Sequence, residues 1–401
     1  MIPFNAPHFR QQFPALQQPG VYLDSAATAL KPQAMIDAVG RYYRLQSGNV
    51  HRSQHRWAQR LTQCFEDTRQ QVAELIGASD PHSVIWTRGA TESINLVAQS
   101  FARPLLSPDD EIVVSEAEHH ANLLPWLMVA RQTGASVVKL PLGDDLLPDV
   151  ERLPALLSSR TRILAITQMS NVTGGQPNLQ RAVTLAHQAG AVVVVDGAQG
   201  IVHTPVDVSA LDIDFYAFSA HKLYGPTGVG VLYGKPELLA EMPPWQGGGK
   251  MMQDVSFDGF VPQDGPQKFE AGTPHIAGVI GLSGTLEWLK NYDCYAAEQH
   301  SAALADQAEK ALMTLPGFRS WRSAGSSLLS FTFDGVHHSD LVALLAEDGI
   351  ALRAGHHCAQ PLMAALGVKG TLRASFSPYN NEQDVTQLIN GLRKALALLL
   401  D

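Results

Sequence analysis

The stretch RAGHHCAQPLM, residues 353–363, sets the thiol of Cys358 behind His356 and His357 on a loop bounded by glycine and proline. Such a thiol could bind a metal, act as a nucleophile or fill a gap. A second candidate is Lys222, delivered by the apolar run DFYAFSAHK and followed by a Gly/Pro-rich turn. Partial burial lowers a lysine's pKa and frees its lone pair for covalent chemistry; the plainer alternative is a surface lysine at a strand end. A third is Asp196, which follows four valines in VVVVDGAQG, with Gln199 three residues on. A carboxylate there is costly without a partner, although a helix cap would also account for it.

Two further segments add polar groups. In WTRGATESINL, Gly89 ends an apolar run, and Thr91, Glu92 and Ser93 open a helical pattern. Free N–H groups and the helix dipole make such a junction an anion site, or simply a cap. It is neither a Walker loop nor a dinucleotide fingerprint. In EAEHHANLLPW, His119 and His120 could stack on a planar ring, bind a metal or be ordinary loop histidines. Together these groups meet the needs of pyridoxal phosphate: a helix N-terminus for the phosphate, an acid for the ring nitrogen, a lysine for the Schiff base and an imidazole to stack.

The elements that must position them read as α/β. Strands are expected at 83–87, 111–116, 136–142, 161–170, 191–200, 214–222 and 228–234, with helices at 91–102, 122–134 and 178–190. Nearly continuous apolar strands are buried on both faces, which points to a mainly parallel sheet covered by helices. Ligands then gather beyond the carboxyl ends of the strands. From about residue 275 the pattern changes to long helices, including 338–347 and 382–400, around three strands. This predicts an arm over 1–20 that packs with the small domain. A large cofactor-binding domain covers 21–285, and a smaller α+β C-terminal domain covers 286–401 and carries the cysteine loop.

The composition sets outer bounds. A chain of 401 residues, 45% hydrophobic and 17% charged, fits a globular enzyme and not a disordered tail. A net charge of −9 weighs against nucleic acid or an anionic membrane as partner. Three widely spaced cysteines, Cys64, Cys294 and Cys358, form no disulfide framework and suit a reducing cytoplasm. No signal peptide and no apolar run long enough to span a membrane are expected. Cys64, in a helical pattern, reads as a small packed residue.

Across nearly its whole length the chain resembles the group II cysteine desulfurase and selenocysteine lyase family, a class V branch of the fold-type I pyridoxal-phosphate enzymes. The resemblance is carried by YLDSAATALKP, NVHRSQH, TRGATESINLVA, EHHANLLPWL, SNVTGG, VDGAQG, DFYAFSAHKLYGPTGVGVLYG, GGGKM, FEAGTP, RAGHHCAQPLM and LRASFSPYN, in that order. GGGKM and DSAATALKP are most similar to the CsdA, or cysteine sulfinate desulfinase, type. The resemblance implies pyridoxal 5'-phosphate held covalently by Lys222. Asp196 would sit on its ring nitrogen, Gln199 on its ring hydroxyl and His119 against its face. Thr91, Ser219 and His221 would take the phosphate, with Thr273 supplied by a partner subunit. Asn171 and Arg373 would hold the substrate carboxylate, Arg353 would lie near, and Cys358 would accept sulfur. It further implies L-cysteine, L-selenocysteine or L-cysteine sulfinate as substrates, a homodimer, and a small sulfur-acceptor protein.

Two positions depart from the family's usual pattern, Ala90 in place of a threonine and Ala220 in place of a glycine. The first removes a hydroxyl worth about 1 kcal/mol. The second requires a backbone without positive φ. The rival readings are another class V aminotransferase or lyase, which would have no use for the thiol, and a non-catalytic sulfur-carrier module. A metal hydrolase built on the histidine pairs is a third, but its spacing matches no ordinary zinc pattern.

Overall fold

The computed structural model describes residues 3–400, so Met1, Ile2 and Asp401, the ends of the expected arm and C-terminal domain, lie outside the described residues. Seven strands form the central sheet: β1 (Val84–Thr87), β2 (Glu111–Ser115), β3 (Ser136–Leu140), β4 (Thr161–Thr167), β5 (Val192–Asp196), β6 (Phe215–Ser219) and β7 (Gly230–Gly234). Their order is β1-β7-β6-β5-β4-β2-β3. β3, β2, β4, β5 and β6 run parallel; β7 is antiparallel to both its neighbours. Apolar cores cover both faces, one around Phe65, Val193, Tyr216 and Phe218, the other around Trp126, Val194, Phe215 and Leu232. Odd and even valines of one strand therefore enter different cores, which is why β5 carries four successive valines before Asp196.

A second sheet holds β8 (Phe318–Ser320), β9 (Leu328–Phe333), β10 (Arg353–Gly355) and β11 (Thr371–Ser375) in the order β8-β9-β11-β10, all antiparallel. Helices Cys294–Leu312, His338–Glu347 and Glu382–Leu400 pack on it. The N-terminal residues Phe9 and Phe13 enter an aromatic cluster with Tyr224, Trp288 and Tyr379. Arg10 Nη1 donates to Asp384 Oδ2 at 3.0 Å. Val21–Tyr22 pairs in parallel with Ile350–Ala351.

The structure corrects three expectations. The strand expected over 191–200 stops at Asp196, because Gly197–Gln199 turns into a short helix Gly200–His203. The helix from residue 90 carries a π-helical stretch at Val97–Ala102. Cys64 is exposed and packs into no core: the buried face of its helix runs through Leu61, Phe65 and Thr68, and Cys64 falls beside it. An antiparallel hairpin, Met252–Ser256 with Gly259–Pro262, is not among the elements expected from the sequence.

Arg69 is the electrostatic tie of the large sheet. Its guanidinium meets Glu270 at 2.6 and 3.1 Å and donates to the Val84 carbonyl at 2.7 Å, while Glu270 also accepts from Trp86 N–H. Both side chains are buried, so removing Arg69 leaves the Glu270 carboxylate with only the more distant Lys250 ammonium, 3.5 Å away, to balance it. Arg69→Leu is expected to cost about 3–5 kcal/mol of stability, read as a lower urea midpoint. A midpoint unchanged from that of the native chain would refute the assignment.

Candidate active site

The site lies beyond the carboxyl ends of β4, β5 and β6, where parallel strands leave loops and helix starts facing one cavity. A cavity of about 190 Å³ is lined by Ala90, Thr91, His119, Asn171, Asp196, Gln199, Ser219, His221, Lys222 and Arg353, among others. Residues separated by up to 327 positions, from Ala26 to Arg353, thus meet in one place.

Lys222 ends the 3-10 turn Ala220–Lys222 that follows β6. Burial, then the Arg373 guanidinium, lowers its pKa to about 8, against an opposing pull from Asp196. A neutral amine is the reactive form, and its fraction grows as pH rises through that value. Loading of the apo-protein with pyridoxal phosphate should therefore accelerate from pH 7 and level off above about pH 8. An ordinary lysine would still be accelerating past pH 10. The check is the rate at which visible absorbance appears; a rate still climbing tenfold per pH unit at pH 9.5 would contradict it.

Asp196 closes β5, and its Oδ1 accepts from Ala198 N–H at 2.9 Å. Burial raises its pKa. Gly197 must be glycine, since a Cβ there would lie 2.1 Å from the Tyr216 ring. Glu118 was not singled out from the sequence, yet it is fully enclosed nearby. It accepts from Asn122 Nδ2 at 2.7 Å and Thr167 N–H at 2.7 Å, and also from Ser115 Oγ. Burial pushes its pKa up to about 8. Its neighbours fix the segment that carries His119. His119 Nδ1 accepts from Ala121 N–H at 3.0 Å, so a neutral ring has its proton on Nε2. Burial and then Lys222 lower its pKa to about 4, which keeps that ring neutral.

At the start of the helix 90–105, Ala90 N–H donates to Ser219 Oγ at 2.8 Å. Ala220 is absent from the residues with positive φ, so the alanine fits without the strain that replacing a glycine could bring. His221 lines the cavity with its Nδ1 3.2 Å from Thr28 Oγ1; burial lowers its pKa to about 4. Thr273 is exposed and does not line this cavity.

The cysteine loop is fastened at several points. Asn171 Nδ2 donates to the His357 carbonyl at 2.8 Å, and His120 N–H donates to the Cys358 carbonyl at 2.6 Å. Gln360 N–H donates to His120 Nε2 at 3.2 Å. His120 is thus a clamp on the loop. His357 and Cys358 both have positive φ, 52° and 55°, a conformation costing L-residues about 1–2 kcal/mol each. The fastenings hold that strain in place. Arg353 reaches from the cavity wall to Cys358 Sγ, 3.4 Å away. Burial, followed by the charges of Arg373 and Arg353, drops the His357 pKa to about 2. His357 is therefore neutral, and Arg353 is the cation in contact with the sulfur. Arg373 is fully buried behind Asn171, donating Nη1 to its carbonyl at 2.8 Å, and its Nε has no partner. Among the described residues, no three of His, Cys, Asp and Glu converge as a metal-ligand set.

Comparison with known proteins places this geometry in context. Residues 21–388 match the family described as aminotransferase class-V. The chain is 66% identical over 398 residues to cysteine desulfurase CsdA of Escherichia coli (strain K12), covering 99% of each. It is 52% identical to a probable cysteine desulfurase of Vibrio cholerae serotype O1, covering 98% of this chain and 99% of the relative. The crystal structure of the Escherichia coli CsdA in an S-sulfonic acid form superposes with a TM-score of 0.95 at 66% identity, covering 99% of each chain. An apo cysteine desulfurase from Thermococcus onnurineus NA1 superposes with a TM-score of 0.93 at 32% identity, over 100% of both chains.

Proposed function

The chain belongs to the aminotransferase class-V family and is a pyridoxal-phosphate-dependent cysteine desulfurase of fold-type I, and we propose that Cys358 is the group that receives the sulfur. The observation that carries this is the Arg353–Cys358 contact at the edge of the Lys222 cavity. It sets a guanidinium against a thiol that must react as a thiolate. An aminotransferase has no use for that pair.

The residues present fit the cofactor. Gln199 Oε1 on the cavity wall and Arg373 Nε behind it are buried polar atoms without protein partners. Lys222 would hold the cofactor covalently, Asp196 its ring nitrogen and Gln199 its ring hydroxyl. His119 would lie on its face. Thr91, Ser219, His221 and the free N–H groups of the helix start would take the phosphate, joined by Thr273 of a second copy in a homodimer. Bound there, pyridoxal phosphate supplies the electron sink that loosens the substrate's Cα–H and C–S bonds. Arg373 and Asn171 orient the substrate carboxylate. The Lys222 amine moves the proton at Cα. The Cys358 thiolate attacks the substrate sulfur: one S–S bond forms, the C–S bond breaks, and Cys358–SH plus cysteine become Cys358–S–SH plus alanine.

In this proposal L-selenocysteine and L-cysteine sulfinate are further substrates, a small acceptor protein removes the persulfide sulfur, and the chain works in the cytoplasm. Among the described residues, no helix is long and apolar enough to cross a membrane. The domain division at residues 285/286, with the 1–20 arm on the smaller domain, is part of the same proposal. Alanine and persulfide assays with each substrate, with and without a thiol acceptor, test it. Production of pyruvate or of a keto acid in place of alanine would refute it.

A further inference from the structure

Gln199 connects to groups far outside the cavity. Its Nε2 lies 2.9 Å from His203 Nε2, one helical turn on. An amide nitrogen only donates, so the ring nitrogen it meets must be bare. The ring proton of a neutral His203 then sits on Nδ1. That atom faces Glu298 Oε2 at 2.9 Å and Ser327 Oγ at 3.2 Å. A carboxylate only accepts, which demands the same tautomer. Ser327 Oγ donates to the other Glu298 oxygen at 2.7 Å. The chain is thus consistent from Ser327 to Gln199, and only Gln199 Oε1, buried on the cavity wall, is left without a partner.

The two halves of this chain come from different parts of the fold. Gln199 and His203 follow β5, whereas Glu298 lies on the helix Cys294–Leu312 and Ser327 directly precedes β9. His203 and Glu298 also line a separate, largely apolar cavity of about 430 Å³ with Ile201, Leu223 and Tyr224. The side chains of His203 and Glu298 are mostly buried, 8% and 17% exposed, so the hydrogen bonds between them have few competing partners.

We propose that Glu298, held by Ser327, acts through His203 to fix which end of the Gln199 amide faces the cofactor. With Glu298 in place, His203 Nε2 is an acceptor, Gln199 gives it an N–H, and Oε1 is presented as an acceptor to a donor on the cofactor. Without Glu298, His203 can carry its proton on Nε2 and the Gln199 amide can turn over, presenting its NH₂ group instead. Glu298 and His203 are positioning residues, and their role rests on the reading of Gln199 as a contact of the pyridoxal-phosphate ring hydroxyl.

The test is made on the holoenzyme, by visible absorption and by the rate of cofactor release into a trap. Glu298→Leu and His203→Phe are each expected to shift the absorption band and to speed release several-fold. In a Gln199→Leu background, Glu298→Leu should change neither, because coupled residues are non-additive. Should Glu298→Leu fail to fold, His203→Phe carries the comparison by itself. A native band and native release rate in His203→Phe would overturn the relay, as would an equal effect of Glu298→Leu with and without Gln199. In that case pyridoxal phosphate still binds and the functional reading stands; a native chain that binds none would overturn both.

Discussion

Lys222→Ala is expected to abolish conversion of L-cysteine to alanine, by about 10⁴-fold or more, the upper range for a single proton-transferring group. The lysine would serve twice, as the covalent tether and as the group that moves the proton at Cα. No neighbour can substitute. His119 and His221 lie on the same cavity, but burial holds both near a pKa of about 4, too weakly basic for the task. The Arg373 guanidinium, even with its pKa lowered to about 10, remains charged at neutral pH. The variant should fold, since among the described residues the Lys222 side chain has no hydrogen-bond partner to lose, and pyridoxal phosphate should be released from it on gel filtration. Turnover at the native rate would sink the assignment of Lys222 and with it the cofactor geometry.

Cys358→Ala is expected to separate the substrates. Alanine formation from L-cysteine should fall about 10²-fold, equivalent to ~2.7 kcal/mol of barrier, while the visible band of the bound cofactor is unchanged. Sulfite release from L-cysteine sulfinate needs no sulfur acceptor on the enzyme and should stay within a few-fold of native. The structure supports this split because Cys358 stands behind Arg353 and not on the cavity wall. Its removal leaves the groups around Lys222 in place. Equal losses on both substrates would mean that the cysteine acts on the fold or on the cofactor, and the persulfide role would fail.

Much of the fold could be read directly. The strands β1, β2, β3, β4, β6 and β7 fall where apolar runs predicted them, within a few residues, because most of them lie in a sheet buried on both faces, which imposes continuous hydrophobicity. The hairpin 252–262 was invisible for the converse reason: its residues are mostly exposed, so no burial shaped its pattern. Glu118 left no signal either. A carboxylate in EAEHH reads as a polar loop residue, and only the surrounding donors show that it is enclosed.

The sequence alone determined the type of chemistry. Lys222, Asp196, His119 and Cys358 each sit next to an apolar strand or a glycine-bounded loop, and local order along the chain is enough to see that. Tertiary structure decided which partners those groups have. Only folding sets Arg353 and not His357 against the sulfur, commits Asn171 and His120 to the cysteine loop, and joins Gln199 to Glu298 across 99 residues of sequence. The physical reason is one of range. Propensity and burial patterns are local along the chain, whereas charge, tautomer and hydrogen bonding depend on what is near in space.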